Sequence, residues 1–224
     1  MRMAAEHNQT MDSHRPRTTE AGFTFLELML VLIIISALTA AAFDLSRAAQ
    51  NSLANVQGSS SLLDSGLRAL TQMKRDIRLA GHPDAGSFSA AAVSNHPGIV
   101  ANSFTAVSGF DLVFEADLNG DGRVEQVEYT LPAGTQTLVR SVTPKNLDGT
   151  MAAGSTVSQP LLSNVQNQLS GQPVFSWSTD PLSLSPFPQN IQTVYVNLIL
   201  QAGSGSSRAV SSLALATACK RMNP

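Results

Sequence analysis

The chain has 224 residues, of which 43% are hydrophobic, 13% charged and 5% aromatic, with a formal net charge of -2. That length accommodates one medium domain and a tail, and the near-neutral balance without a basic block excludes the electrostatic footprint of a nucleic-acid binder. A single cysteine, Cys219, excludes an internal disulfide framework and a Cys-rich zinc site; no phosphate loop, GxSxG or HExxH occurs, so an enzyme is not expected.

From Phe23 to Phe43 the sequence reads FTFLELMLVLIIISALTAAAF, with Glu27 as its only charge. As a helix rising about 1.5 Å per residue, this run is about 30 Å long, the thickness of a bilayer core. A segment apolar on every face needs lipid or a larger protein around it, so 23–43 is predicted to cross a membrane. Arg2, Arg15 and Arg17 precede the span, and Arg47 alone follows closely. The excess of basic residues places residues 1–22 in the cytoplasm and the body of the chain in the periplasm or outside the cell. Glu27 is the anomaly, because a carboxylate within an apolar span costs about 2.5–3.5 kcal/mol and calls for a partner or for snorkelling to the interface.

The residues around it read Gly22-Phe23-Thr24-Phe25-Leu26-Glu27. This string resembles the processing signal of type IV prepilins and the related pseudopilins. The resemblance implies cleavage between Gly22 and Phe23 by a prepilin peptidase on the cytoplasmic side, N-methylation of Phe23, and Glu27 as the fifth mature residue. It further implies that Glu27 pairs with the amino terminus of a neighbouring subunit, making a charge that is costly alone tolerable in a filament. Glu20-Ala21 stand where the family often has a basic residue, and initiation at Met11 would give a shorter leader.

Beyond the span, Leu45, Ala49, Leu53, Val56, Ser60, Leu63, Leu67, Leu70, Lys74 and Ile77 follow at steps of three and four, most of them apolar. The spacing predicts a continuing amphipathic helix over 44–80, its part after Leu62 packed on the chain's own sheet. Gly81 and Pro83 end it. From Phe23 to Ala80 the helix would be about 85–90 Å long, with Gly58-Ser59-Ser60-Ser61 and Gly66 favouring a bend. The string Arg75-Asp76-Ile77-Arg78-Leu79-Ala80-Gly81 is similar to the end of the long helix in PilW-type minor pilins; read from the residues alone, it is a solvated helix end with cations near the C-terminal dipole.

In 81–224 the period changes to two, and the region reads as a periplasmic or extracellular β-sheet domain. Strands are expected at 110–114, 123–131, 137–142, 174–177, 191–200 and 208–217, with loops at 84–103, 144–160 and 178–190 and a short helix or turn at Val165 and Leu169. One long helix followed by sequential strands predicts an α+β fold, an antiparallel sheet packed on the helix. That order resembles the pilin fold, and the closing residues from Arg208 to Asn223 are similar to PilW-type C-termini.

Residues 117–128 match the D-x-N-x-D-G-x-V-x-x-x-E calcium-loop pattern. Asp117, Asn119, Asp121, the Arg123 backbone carbonyl and a bidentate Glu128 would supply oxygens to Ca2+, with Glu125 acting through water, in a structural role. The flanking strands make a tight hairpin the competing reading, since Asn-Gly and Asp-Gly form turns. Against the hairpin alone stand six acids between Asp111 and Glu128, opposed only by Arg123. Cys219 is expected to be buried in the last strand, Trp177 to be a core or strand-surface aromatic, and His82 and His96 to face solvent.

The resemblance implies a minor type IV pilin that helps to initiate pilus assembly. Its partners would be the prepilin peptidase, other major and minor pilins, the inner-membrane assembly platform and the lipid bilayer. It would sit in the inner membrane before assembly and on the cell surface after it. The alternatives are a minor pseudopilin of a type II secretion system and, in a different class, a bitopic membrane-anchored calcium-binding module.

Overall fold

The computed structural model describes residues 24–201 and 212–220. The leader 1–22, Phe23 and the expected strand residues Arg208 to Val210 lie outside them. The chain forms two compact units, 1–49 and 50–224, and helix α1, Phe25–Leu79, contributes to both.

In the first unit, every described residue is exposed. The helix there contains the one described stretch long and apolar enough to cross a membrane, with a mean hydropathy of 2.4 and none of it buried. A helix carrying apolar side chains all round, with no protein against them, has lipid or other helices as its physical solvent.

The second unit is α+β, with two antiparallel sheets where one was expected. The first has the order β1 (Phe104–Val107), β2 (Asp111–Ala116), β3 (Glu125–Thr130), β4 (Leu138–Pro144) and β5 (Val157–Leu162); the second has β6 (Phe175–Thr179), β7 (Ile191–Gln201) and β8 (Ser212–Lys220). The break falls between β5 and β6, where Val165 forms only an isolated bridge to Leu200 and residues 167–171 are a turn. Two expected loops contain regular structure. The 144–160 loop runs into β5, whose polar Val157-Ser158-Gln159-Pro160 stretch carries no alternation because it is an exposed edge, the place where proline is tolerated. The 84–103 loop holds a short helix, α2 (Ala90–Asn95), capped by the Ser89 hydroxyl accepting from the Ala92 amide.

Both sheets and the upper part of α1 share one core, which includes Met73 and Ile77 of the helix, Phe114 and Tyr129 of the first sheet, and Val194 and Leu198 of the second. The helix contributes Leu62, Ala69, Leu70, Met73 and Ile77, and Ala80 just past its end is buried with them. This corrects the expected stripe: Leu63 and Leu67 are exposed at 41% and 48%, and Lys74 is exposed as well. The buried row passes through Gly66, where an added Cβ would lie 2.5 Å from Leu215 Cδ1 and 2.9 Å from Leu200 Cδ1. Gly66 therefore marks a close approach of helix and sheet, and α1 continues through it and through 58–61 without interruption. The helix ends as the sequence indicates. Gly81 has φ +79, the left-handed conformation in which a Cβ would be strained, and its amide donates to the Glu115 carbonyl of β2 at 2.8 Å.

Candidate functional site

At the start of α1, Thr24 and Glu27 bond reciprocally. The Glu27 amide donates to the Thr24 hydroxyl at 3.3 Å, while the Thr24 amide and hydroxyl donate to Glu27 Oε2 at 3.1 and 3.2 Å. This is a capping box, in which a threonine and a glutamate three residues on satisfy amides that the first helical turn leaves unpaired. The T-x-x-E spacing before an apolar run signals it in the sequence, where Thr24 is the partner that the lone charge of Glu27 conceals. Glu27 thus has a partner within its own chain, and both bonds fall on Oε2; Oε1 accepts nothing among the described residues. Gly22 and Phe23, the expected processing residues, lie outside the described residues.

The end of α1 holds a buried polar cluster where the sequence suggested a solvated helix end. Asp76, 2% exposed, projects toward the first sheet. Its Oδ2 accepts from Tyr129 Oη of β3 at 2.7 Å and from Arg140 Nε of β4 at 2.8 Å. Arg140 Nη2 lies 2.8 Å from the same oxygen, and Gln72 Nε2 donates to Oδ1 at 2.9 Å. Burial and the adjacent Asp76 carboxylate push the Tyr129 hydroxyl far above its usual range, so it stays protonated and donates. Arg140 feels the opposite balance: burial pulls its pKa down, but Asp76 and Tyr129 together outweigh this and hold it above its ordinary value. Nothing in a run of Arg-Asp-Ile-Arg tells which charge turns inward; only the phase of Asp76, on the side of Met73 and Ile77, decides it.

A second buried pair fastens the neighbouring segment. Lys145 Nζ lies 2.7 Å from Glu115 Oε2, with side chains only 5% and 3% exposed. The same oxygen accepts from the Asn102 amide at 2.8 Å and from Asn102 Nδ2 at 3.0 Å, and Lys145 also donates to the Val100 carbonyl at 3.0 Å. Each charge is paired and hydrogen-bonded, as burial requires. Glu115, counted above among the repelling acids, is therefore already neutralised.

The acidic loop is the β2–β3 hairpin connection, and its oxygens are largely engaged by its own backbone. Asp117 accepts from the Gly120 and Gly122 amides at 2.7 and 2.9 Å. Asn119 Oδ1 accepts from the Asp121 amide, Asp121 Oδ1 accepts from the Arg123 amide, and Asp121 Oδ2 accepts from Asn119 Nδ2. Glu125 Oε2 turns back to the Leu118 amide at 3.1 Å. Desolvation first, and then repulsion from Asp121 and Asp117, raise the Glu125 pKa against that hydrogen bond. Glu128 is not brought to this group. It lies within the extended β3, opposite Val113 and Ser141, about 10 Å along the strand from Glu125 and on the other face. Among the described residues no three His, Cys, Asp or Glu side chains converge as a metal set.

Cys219 lies in β8 and is 1% exposed; burial pushes its thiol pKa up, with Lys74 pulling it partly back. Trp177 is half-buried against the core, its ring 6.0 Å from that of Phe187, and His82 and His96 are exposed.

Among known proteins, residues 17–43 match the prokaryotic N-terminal methylation motif. No curated protein and no solved structure matches the chain. The match spans Gly22, Phe23, the capping box and the apolar part of α1, which fits anchoring in the inner membrane. The chain thus carries the type IV prepilin-like N-terminal methylation motif, the mark of a type IV pilin or pseudopilin substrate of prepilin peptidase.

Proposed function

We propose that the protein is a minor type IV pilin of the PilW kind. It is inserted in the inner membrane with residues 1–22 in the cytoplasm, cut between Gly22 and Phe23, N-methylated at Phe23, and assembled with other pilins through the inner-membrane platform, where it helps to initiate a fibre and sits near its tip. The observation that carries this reading is the methylation motif running directly into an apolar helix with no protein surface against it. The resemblance of the Arg75–Gly81 string to PilW-type minor pilins supports the finer assignment. In assembly, Glu27 keeps its capping bonds on Oε2 and offers Oε1 to the methylated amino terminus of a neighbour.

The test is mass spectrometry of sheared surface fibres and of the membrane fraction. A peptide beginning at N-methylated Phe23 in the fibres supports the pilus subunit. The same peptide confined to the envelope moves the protein to the pseudopilus of type II secretion. Chains that keep residues before Phe23, in cells with an active prepilin peptidase, overturn both in favour of a bitopic anchor.

A narrower calcium reading rests on the D-x-N-x-D-G pattern of residues 117–122 and on Glu125, whose carboxylate turns back to the same β2–β3 loop. We propose Asp117, Asn119, Asp121, the Arg123 carbonyl and Glu125 as the oxygen donors, with Glu128 no longer among them. Calcium should raise the melting temperature of the wild-type chain and not of Asp121→Ala; an unchanged wild type disposes of the site.

A further inference from the structure

Among the described charges left over once the buried pairs are formed are two surface groups of opposite sign. Lys74, Arg75 and Arg78 stand exposed on the outer face of α1, because Asp76, the acid among them, is turned inward and consumed by Arg140 and Tyr129. Among the described residues none of the three forms an ion pair; the three pairs found there are Arg68–Asp64, Arg140–Asp76 and Lys145–Glu115. The hairpin loop presents Asp117, Asp121 and Glu125, whose carboxylates take only amide donors and repel one another. The two groups belong to one end of the unit, since the Asp117 amide donates to the carbonyl of His82 just beyond the helix. Among the described residues they nevertheless do not pair with each other.

We infer that the Lys74-Arg75-Arg78 face is a docking surface for the 117–125 hairpin loop of a second copy of this chain. Charge complementarity is the argument. Each group carries three like charges, the loop carries one opposing residue in Arg123, and pairing across two copies removes the repulsion that each suffers alone. Because a helix face meets a loop, the contact joins different surfaces of the two copies and can be repeated from copy to copy as well as closed by a two-fold axis. The inference goes beyond the proposed function, since it concerns copies sharing a membrane and needs no fibre, and it applies to the calcium-free loop, so the experiment is run with a chelator present.

The experiment uses the full-length chain in membranes, in a Cys219→Ala background, with two differently tagged copies. One carries Arg78→Cys and the other Asp121→Cys, and disulfide formation is driven by a mild oxidant. A mixed-tag dimer well above that formed when Ala133→Cys, an exposed turn residue, replaces Asp121→Cys is expected. Adding Lys74→Glu and Arg75→Glu to the first copy should cut the yield about fivefold. Adding Asp117→Lys and Glu125→Lys to the second should restore it. A mixed-dimer yield no higher than the Ala133→Cys control overturns the inference. So does a loss of yield that reversal on both sides fails to restore, or cross-linking of Asp121→Cys to other envelope proteins and not to the second copy.

Discussion

Two stretches of the same helix have opposite environments. From Thr24 to Leu53 every residue is exposed, although most are apolar; from Leu62 to Ala80 the inward row is buried, although it includes a carboxylate. Helical backbone is common to both, so it explains neither. Among the described residues nothing covers the apolar surface of the first stretch, whereas the second satisfies its own, down to the last oxygen of Asp76. Membrane anchoring and a folded domain can thus be carried by one continuous helix, because each stretch is specified by what surrounds it.

Substitutions that act on the second stretch and spare the first sharpen this contrast. Lys145→Met should have the largest effect: it leaves the Glu115 carboxylate buried without its cation, a loss of about 3–5 kcal/mol and, for a chain of this size, about 10 °C in Tm. Thermal circular dichroism of the full-length chain in mild detergent measures it, and Lys145→Met with Glu115→Gln should recover part of the loss.

Asp76→Ala should cost about 3 kcal/mol, because Arg140 and Tyr129 both lose their acceptor. Tyr129 also sets a pH limit. Its folded pKa is raised far above the free value of 10.0, so the stability it contributes is complete below about pH 10 and is lost as pH rises further, when only the unfolded chain ionises. Tyr129→Phe should flatten that alkaline decline; an unchanged decline would remove the tyrosine from the cluster's energetics.

Helix propensity should act where packing is absent. An added Cβ at Gly58 meets nothing within 4 Å, so Gly58→Ala should stabilise by about 0.5–1 kcal/mol. Gly66→Ala should gain less than Gly58→Ala, because its methyl group must displace Leu215 and Leu200. Leu38→Ala, in the first stretch, should leave the unfolding of the second unit unchanged to within about 0.5 kcal/mol; a clear fall in Tm would break the comparison.

The smallest effect is expected at Glu125. Its pKa is raised from 4.5 in the folded chain, so it favours the fold below that value and opposes it increasingly as pH rises above it. Glu125→Gln, which keeps an acceptor for the Leu118 amide, should therefore raise Tm slightly at pH 7 and not at pH 4. Equal shifts at both would mean that charge is not the cause.

The sequence by itself determined the features that depend on neighbouring residues. The apolar run and its single glutamate, the methylation motif, the glycine stop at Gly81 and six of the eight described strands are local, because they follow from transfer free energy, backbone freedom and side-chain period within a few positions. Tertiary structure decided what depends on distant partners. It turned Asp76 inward to meet residues 53 and 64 positions away and paired Glu115 with Lys145. It carried Glu128 away along β3 and divided the strands into two sheets. β1 and β5 escaped the reading for the same reason: β1 is short, β5 is an exposed edge, and each exists because a neighbouring strand supplies its hydrogen bonds. A side chain's local pattern states how it can fold, but which charge is buried and which is left on the surface is fixed only when the pairing groups arrive from elsewhere in the chain.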